Sequence, residues 1–179
     1  MTRDDADRPV LQAVDGATAT IDLVFDRADY EDVPGLVRQV GAAHPYALLL
    51  VRRGGWAVGL AEGTTVTDSR VGTRYVQGKT KAGGWSQQRY ARRRAQQADG
   101  LIEAAASAAH ALFPRRDRLV VSGGDRLLLR DTVTALEARG RAVRLAGRRL
   151  TVPDPRRSVL DDAARAACAV RVAVVDPPA

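Results

Sequence analysis

Residues 46–61, YALLLVRRGGWAVGLA, are the stretch on which the fold turns. Two apolar runs, 46–52 and 56–61, flank Arg53-Gly54-Gly55, and short apolar runs around a glycine turn predict a β-hairpin. Downstream, residues 64–77 mix Val, Thr and Tyr with charge, which predicts a third, longer or bent strand and makes the three a meander. Upstream, 18–25 alternates at strand period, and 31–43 spaces Val33, Leu36, Val37 and Val40 along one helical face. His44-Pro45 stops that helix, because the residue before a proline avoids helical backbone. Residues 1–9 read as a disordered tail and 10–179 as the folded domain.

Beyond the meander, the composition of 78–86 is Gly, Lys, Thr and Ala, which predicts a loop. From Gln87 a helical pattern begins, with Ala91, Ala95, Ala98, Ile102, Ala105, Ala109 and Leu112 recurring every three or four residues. Ser86 is placed to cap this helix, Gly100 interrupts it and Pro114 ends it. The last third alternates again: strand 118–121, a turn at Gly123-Gly124, helix 126–139, strand or hairpin 142–152, helix 161–167 and strand 169–175. Strands interleaved with helices predict an α/β (α+β) layered domain, a mixed sheet packed with helices around one core.

The 179 residues fit one such domain. Only 4% are aromatic, and the apolar side chains are largely Ala and Val, which disfavours a large greasy cofactor pocket; no cofactor is expected. The single cysteine, Cys168, excludes an internal disulfide, and with His44 and His110 the only histidines there is no ligand spacing for a metal. The polar, charge-alternating N-terminus resembles neither a signal nor a transit peptide, and no apolar run approaches a bilayer span. A soluble, cytoplasmic protein is expected.

Charge is the more telling property. The net charge is +7, yet between Asp68 and Asp99 there is no acidic residue and there are eight basic ones: Arg70, Arg74, Lys79, Lys81, Arg89, Arg92, Arg93 and Arg94. Without that stretch the chain would carry −1, so the excess is one local patch, and Lys79 and Lys81 are the only two lysines. The segment KTKAGGWSQQRYARRRAQQ combines flexible glycines, flanking cations, amides and a helix start. Gly83 and Gly84 permit backbone closed to other residues. A helix N-terminus favours phosphate or a developing oxyanion. Lys79, Lys81, Arg89, Arg92, Arg93 and Arg94 would neutralise phosphates, and Trp85 would stack on an unpaired base.

GGWSQQRYARRR resembles the catalytic loop and following helix of archaeal and eukaryotic class 1 release factors, in which Gly-Gly-Gln and Ser precede a helix rich in Arg-aromatic-x-Arg-x-Arg. Arg89, Tyr90, Arg92 and Arg94 match that helix, and RLVVSGGDRLLLRDTV, residues 118–133, resembles the strand, small-residue turn and helix that follow. The likeness spans roughly 64–136 and implies a release-factor catalytic-domain-like fold. Where those factors have glutamine this chain has Trp85, and glutamine comes two places later as Gln87. That shift resembles the release-factor-like branch of ribosome quality control, including an actinobacterial group of short proteins. The resemblance implies a peptidyl-tRNA hydrolase acting with the large ribosomal subunit, a rescue rather than a termination factor. Gln87 would be the catalytic amide and Gln88 its fallback, supported by Gly83, Gly84 and Ser86.

No side chain of the loop is a good general base at neutral pH, so such a catalyst would act by positioning water. Cleavage of the tRNA acceptor end is the alternative chemistry. A non-catalytic RNA- or ribosome-binding module is the competing reading, with Trp85 its best argument. A metal-dependent nuclease would need clustered carboxylates, which the acid-free stretch lacks. Ser122-Gly123-Gly124-Asp125 lacks the Gly-Lys-Ser/Thr ending of a phosphate loop and reads as a structural turn. Cys168, His44 and His110 read as structural residues.

Overall fold

Six consecutive apolar side chains, Tyr46 to Val51, have no polar face to offer solvent, so the strand that carries them must be covered on both sides. A computed structural model describes residues 1–25, 32–73, 86–114 and 118–177, with the side chains of 86–91 and 94 outside the description. Its elements are β1 (Thr2–Arg3), β2 (Pro9–Gln12), β3 (Thr18–Asp22), α1 (Val33–Gly41), β4 (Pro45–Arg52), β5 (Gly55–Glu62), β6 (Thr65–Thr73), α2 (Ser86–Leu112), β7 (Leu119–Gly124), α3 (Arg126–Glu137), β8 (Arg144–Leu145), α4 (Arg157–Cys168) and β9 (Arg171–Val175). The main sheet runs β6-β5-β4-β7-β8, with β4 parallel to β7, β7 parallel to β8 and the meander antiparallel. A smaller antiparallel sheet runs β1-β2-β3-β9. This is the mixed α/β architecture expected.

The pleat divides β4 between two layers. Tyr46, Leu48 and Leu50 face α4, packing with Val159, Leu160 and Ala163. Ala47, Leu49 and Val51 face the other way, toward Leu101, Ala105 and Ala109 of α2 and Leu129 and Leu136 of α3. The Tyr46 hydroxyl, fully buried, donates toward the carbonyls of Gly63 (2.8 Å) and Ala164 (3.2 Å), tying the meander to α4. Burial pushes its phenol well above the ordinary tyrosine range, so it stays a protonated donor. The hairpin closes with Arg52 opposite Gly55, leaving Arg53-Gly54 as a two-residue turn. The bent third strand is bent at a bulge: Leu60 pairs with Asp68 and Ala61 with Val66, leaving Thr67 as the extra residue, its hydroxyl donating to Leu60 O at 3.2 Å.

Several expectations are corrected. Gly123 and Gly124 do not form a turn; they end β7, paired with Leu50 and Val51. Close approach demands the glycines: a Cβ on Gly123 would fall 2.8 Å from Leu50 Cδ2, and one on Gly124, whose φ is +109°, 2.2 Å from Val51 O. Of the apolar residues spaced along one face of α1, only Leu36 is buried, packing with Ile21, Leu11, Leu23 and Val170, while Val33, Val37 and Val40 are exposed. The predicted strand or hairpin at 142–152 shrinks to β8 and a single bridge between Gly123 and Leu150. Gly100 does not interrupt α2, which is continuous over 27 residues. Within the tail expected to be disordered, Thr2–Arg3 pairs with Pro9 and Val10, and Asp4 closes the turn by accepting from Ala6 N and Arg8 N.

Candidate functional site

The segment singled out for chemistry begins where β6 ends. Thr73 lies opposite Gly55, so the chain enters residues 74–85 beside the β4–β5 turn, at the edge where β4 and β7 also finish. Lys79, Lys81, Gly83, Gly84 and Trp85 fall in 74–85 and so outside the described residues. Ser86, Gln87, Gln88 and Arg89 form the first turn of α2, where the backbone N–H groups have no intrahelical acceptor. That first turn contains no acidic residue, and the first carboxylate along the helix is Asp99. The positive end of the helix dipole is thus not offset by a carboxylate of its own first turn. By contrast, α3 is capped by Asp125, whose carboxylate accepts from Leu127 N (2.9 Å) and Leu128 N (3.2 Å).

Most described side chains in the first half of α2 are exposed. Arg92, Arg93, Ala95, Gln96 and Asp99 are all exposed, Ala98 packs partly on the core, and the first fully buried of the described side chains is Leu101. Ala95 therefore does not belong to the core face assigned from periodicity. A length argument agrees: 27 residues rise about 40 Å, whereas the eight-residue strands β4 and β5 span only about 27 Å. Arg92 and Arg93 carry no ion pair among the described residues, which leaves their guanidinium groups available to an anion. Arg94, like Ser86, Gln87, Gln88 and Arg89, is placed by its backbone alone.

The residues read as structural sit as such. His44 packs its ring on Phe25 and lies 3.2 Å from Gln39 O through Nε2. His110 is on the buried side of α2, and its carbonyl accepts from Arg141 at 2.9 Å. Cys168 is partly buried, and burial pushes its thiol above the usual range, away from thiolate chemistry. Among the described residues no three His, Cys, Asp or Glu side chains group as metal ligands, and no helix is long and apolar enough to cross a membrane. One grouping escaped the sequence: Arg52, Arg53 and Arg149 meet at the edge where the loop departs. Only the parallel pairing of β4 with β7, together with the bridge from Gly123 to Leu150 that brings Arg149 alongside, could have revealed it.

The chain is thus a mixed sheet covered by helices on both faces, with a basic helix directly after the Gly-rich stretch of sequence. The family model described as Actinobacteria/chloroflexi VLRF1 release factor matches residues 44–173, and the chain belongs to that family. Membership gives it a release-factor-like role in ribosome rescue and an interaction with the ribosome. No curated protein matches the chain.

Proposed function

We propose that the protein releases nascent chains from stalled ribosomes by hydrolysing the ester that joins the peptide to the tRNA 3′ end. The observation that carries this reading is the position of Gln87 in the first turn of α2, directly after the Gly-rich loop, in a chain of the release-factor family. Gln87 orients the attacking water through its side-chain carbonyl or backbone N–H, with Gln88 one residue behind. Ser86, Gly83 and Gly84 let the backbone approach the reacting ester. Lys79, Lys81, Arg89, Arg92, Arg93 and Arg94 draw the tRNA acceptor end and the large-subunit RNA onto the helix, and Trp85 stacks on an unpaired base. The work is done in the cytoplasm without a cofactor.

The test is single-turnover peptide release at saturating protein, comparing Gln87→Ala with Gln88→Ala. Losing the positioning amide costs about a hundredfold or more in rate, the scale of one removed transition-state hydrogen bond, and Gln88→Ala stays near wild type. Equal rates for Gln87→Ala and wild type would defeat the assignment. The replacement of glutamine by Trp85 in the Gly-Gly-x position favours a second reading, a ribosome-binding module without chemistry, in which both variants bind and none releases.

A further inference from the structure

At the carboxyl ends of β4 and β7 lies an open cavity of about 410 Å³, rimmed by Arg52, Arg53 and Arg149 with Asp125, Asp154 and Thr151. Crevices outside the carboxyl ends of parallel strands are where α/β sheets hold ligands. The balance of charge inside is decided by which groups are already occupied. Asp125 spends its Oδ1 on the N-terminus of α3. Asp154 lies 3.6 Å from Arg52 Nε, and Arg52 also donates to Val152 O at 2.6 Å, so this pair ties the 150–154 segment to the hairpin. Gly54 leaves room for that carboxylate, since a Cβ there would fall 2.8 Å from it. Two cations remain. Arg53, exposed at the hairpin turn, has no ion-pair partner among the described residues, and Arg149 donates one Nη1 hydrogen bond to Gly124 O and keeps its other donors.

We infer that this cavity seats the phosphodiester backbone of RNA, gripped by Arg53 and Arg149. Guanidinium forks suit phosphate oxygens. The walls offer no aromatic ring to stack a base and only Val152 as an apolar side chain, so the site reads backbone rather than sequence, and a free nucleotide finds nothing to hold its base. Its position fits a strand already bound elsewhere. Arg53 lies two residues from Gly55, whose partner Thr73 is the last described residue before the Gly-rich stretch, so the rim adjoins the point from which that stretch sets out. The inference rests on the RNA-directed reading above and adds a second basic site to the one proposed on α2.

The experiment measures binding of the full chain to an RNA minihelix with a single-stranded 3′ CCA end, by anisotropy across a salt series. The double variant Arg53→Ala/Arg149→Ala is compared with Arg38→Ala/Arg171→Ala, which removes the same charge from exposed positions on α1 and β9. The cavity variant weakens binding about tenfold at moderate salt, and its slope of log K against log salt becomes shallower by about one per arginine; the control stays near wild type. Equal losses in the two variants, or none in the cavity variant, overturn the inference. So does displacement of the minihelix by adenosine monophosphate, which would make the cavity a nucleotide site. An intact wild-type affinity with an unaffected cavity variant defeats only this inference; absence of RNA binding by the wild type defeats the functional reading as well.

Discussion

Reversing the charge of Arg92 and Arg93 together, to Glu, separates folding from RNA contact. Both side chains are exposed, neither makes an ion pair among the described residues, and both precede Leu101, the first fully buried of the helix's described side chains. Removing them therefore costs the fold within about 0.5 kcal/mol, a shift in Tm of no more than about 2 °C for a chain of this size. Binding responds differently. Each exposed arginine–phosphate contact contributes up to about 1 kcal/mol, and each glutamate adds repulsion of similar size. The sum approaches about 4 kcal/mol, close to a thousandfold in affinity at low salt, and the salt dependence flattens by about one unit of slope per lost contact. Large-subunit binding by the double variant, titrated at several salt concentrations beside a thermal melt, reads both quantities. A variant that melts like wild type and binds like wild type would refute the assignment of this helix face to RNA.

Other outcomes concern the scaffold. Tyr46→Phe removes the buried donor shared by the Gly63 and Ala164 carbonyls, and denaturant unfolding should show a loss of about 1–3 kcal/mol. Asp125→Ala uncaps α3 by stripping the acceptor from Leu127 N and Leu128 N, which should cost about 0.5–2 kcal/mol in the same assay. Cys168, its thiol pushed up by burial, should label with a thiol reagent at pH 8 much more slowly in native protein than in denatured protein. Because the folded pKa is raised, the neutral thiol favoured by the fold is at full advantage below the unfolded pKa. That contribution fades as pH rises through the folded pKa, so Cys168→Ala should flatten the alkaline loss of stability.

How far the sequence revealed all this varies with the kind of signal. The β4–β5 hairpin was legible because Tyr46 to Val51 is apolar at every position and Arg53-Gly54 interrupts it, two local properties that survive any packing. Glycine is more ambiguous. Gly123 and Gly124 read as a turn, yet they serve close packing against Leu50 and Val51 within a strand, a demand set by the neighbour across the sheet. Helical periodicity likewise says which residues share a face, not what covers it: Val33, Val37 and Val40 align with Leu36 on α1, but only Leu36 is buried. On α2 the same period placed Ala95 in a core that begins later, because nothing local marks where a long helix leaves its sheet. The basic stretch was readable from composition, and the helix was expected from Gln87 with Ser86 as its cap, one residue past its observed start at Ser86. The meeting of Arg52, Arg53 and Arg149 was not, since it depends on strand order.

The most direct test of the proposed activity uses stalled ribosome–nascent-chain complexes carrying peptidyl-tRNA, incubated with the full chain, with released peptide and tRNA length followed together. Ester hydrolysis predicts free peptide and a full-length tRNA with its 3′ CCA intact. A shortened tRNA would instead assign phosphodiester cleavage, and ribosome binding without any release would contradict the enzymatic account altogether.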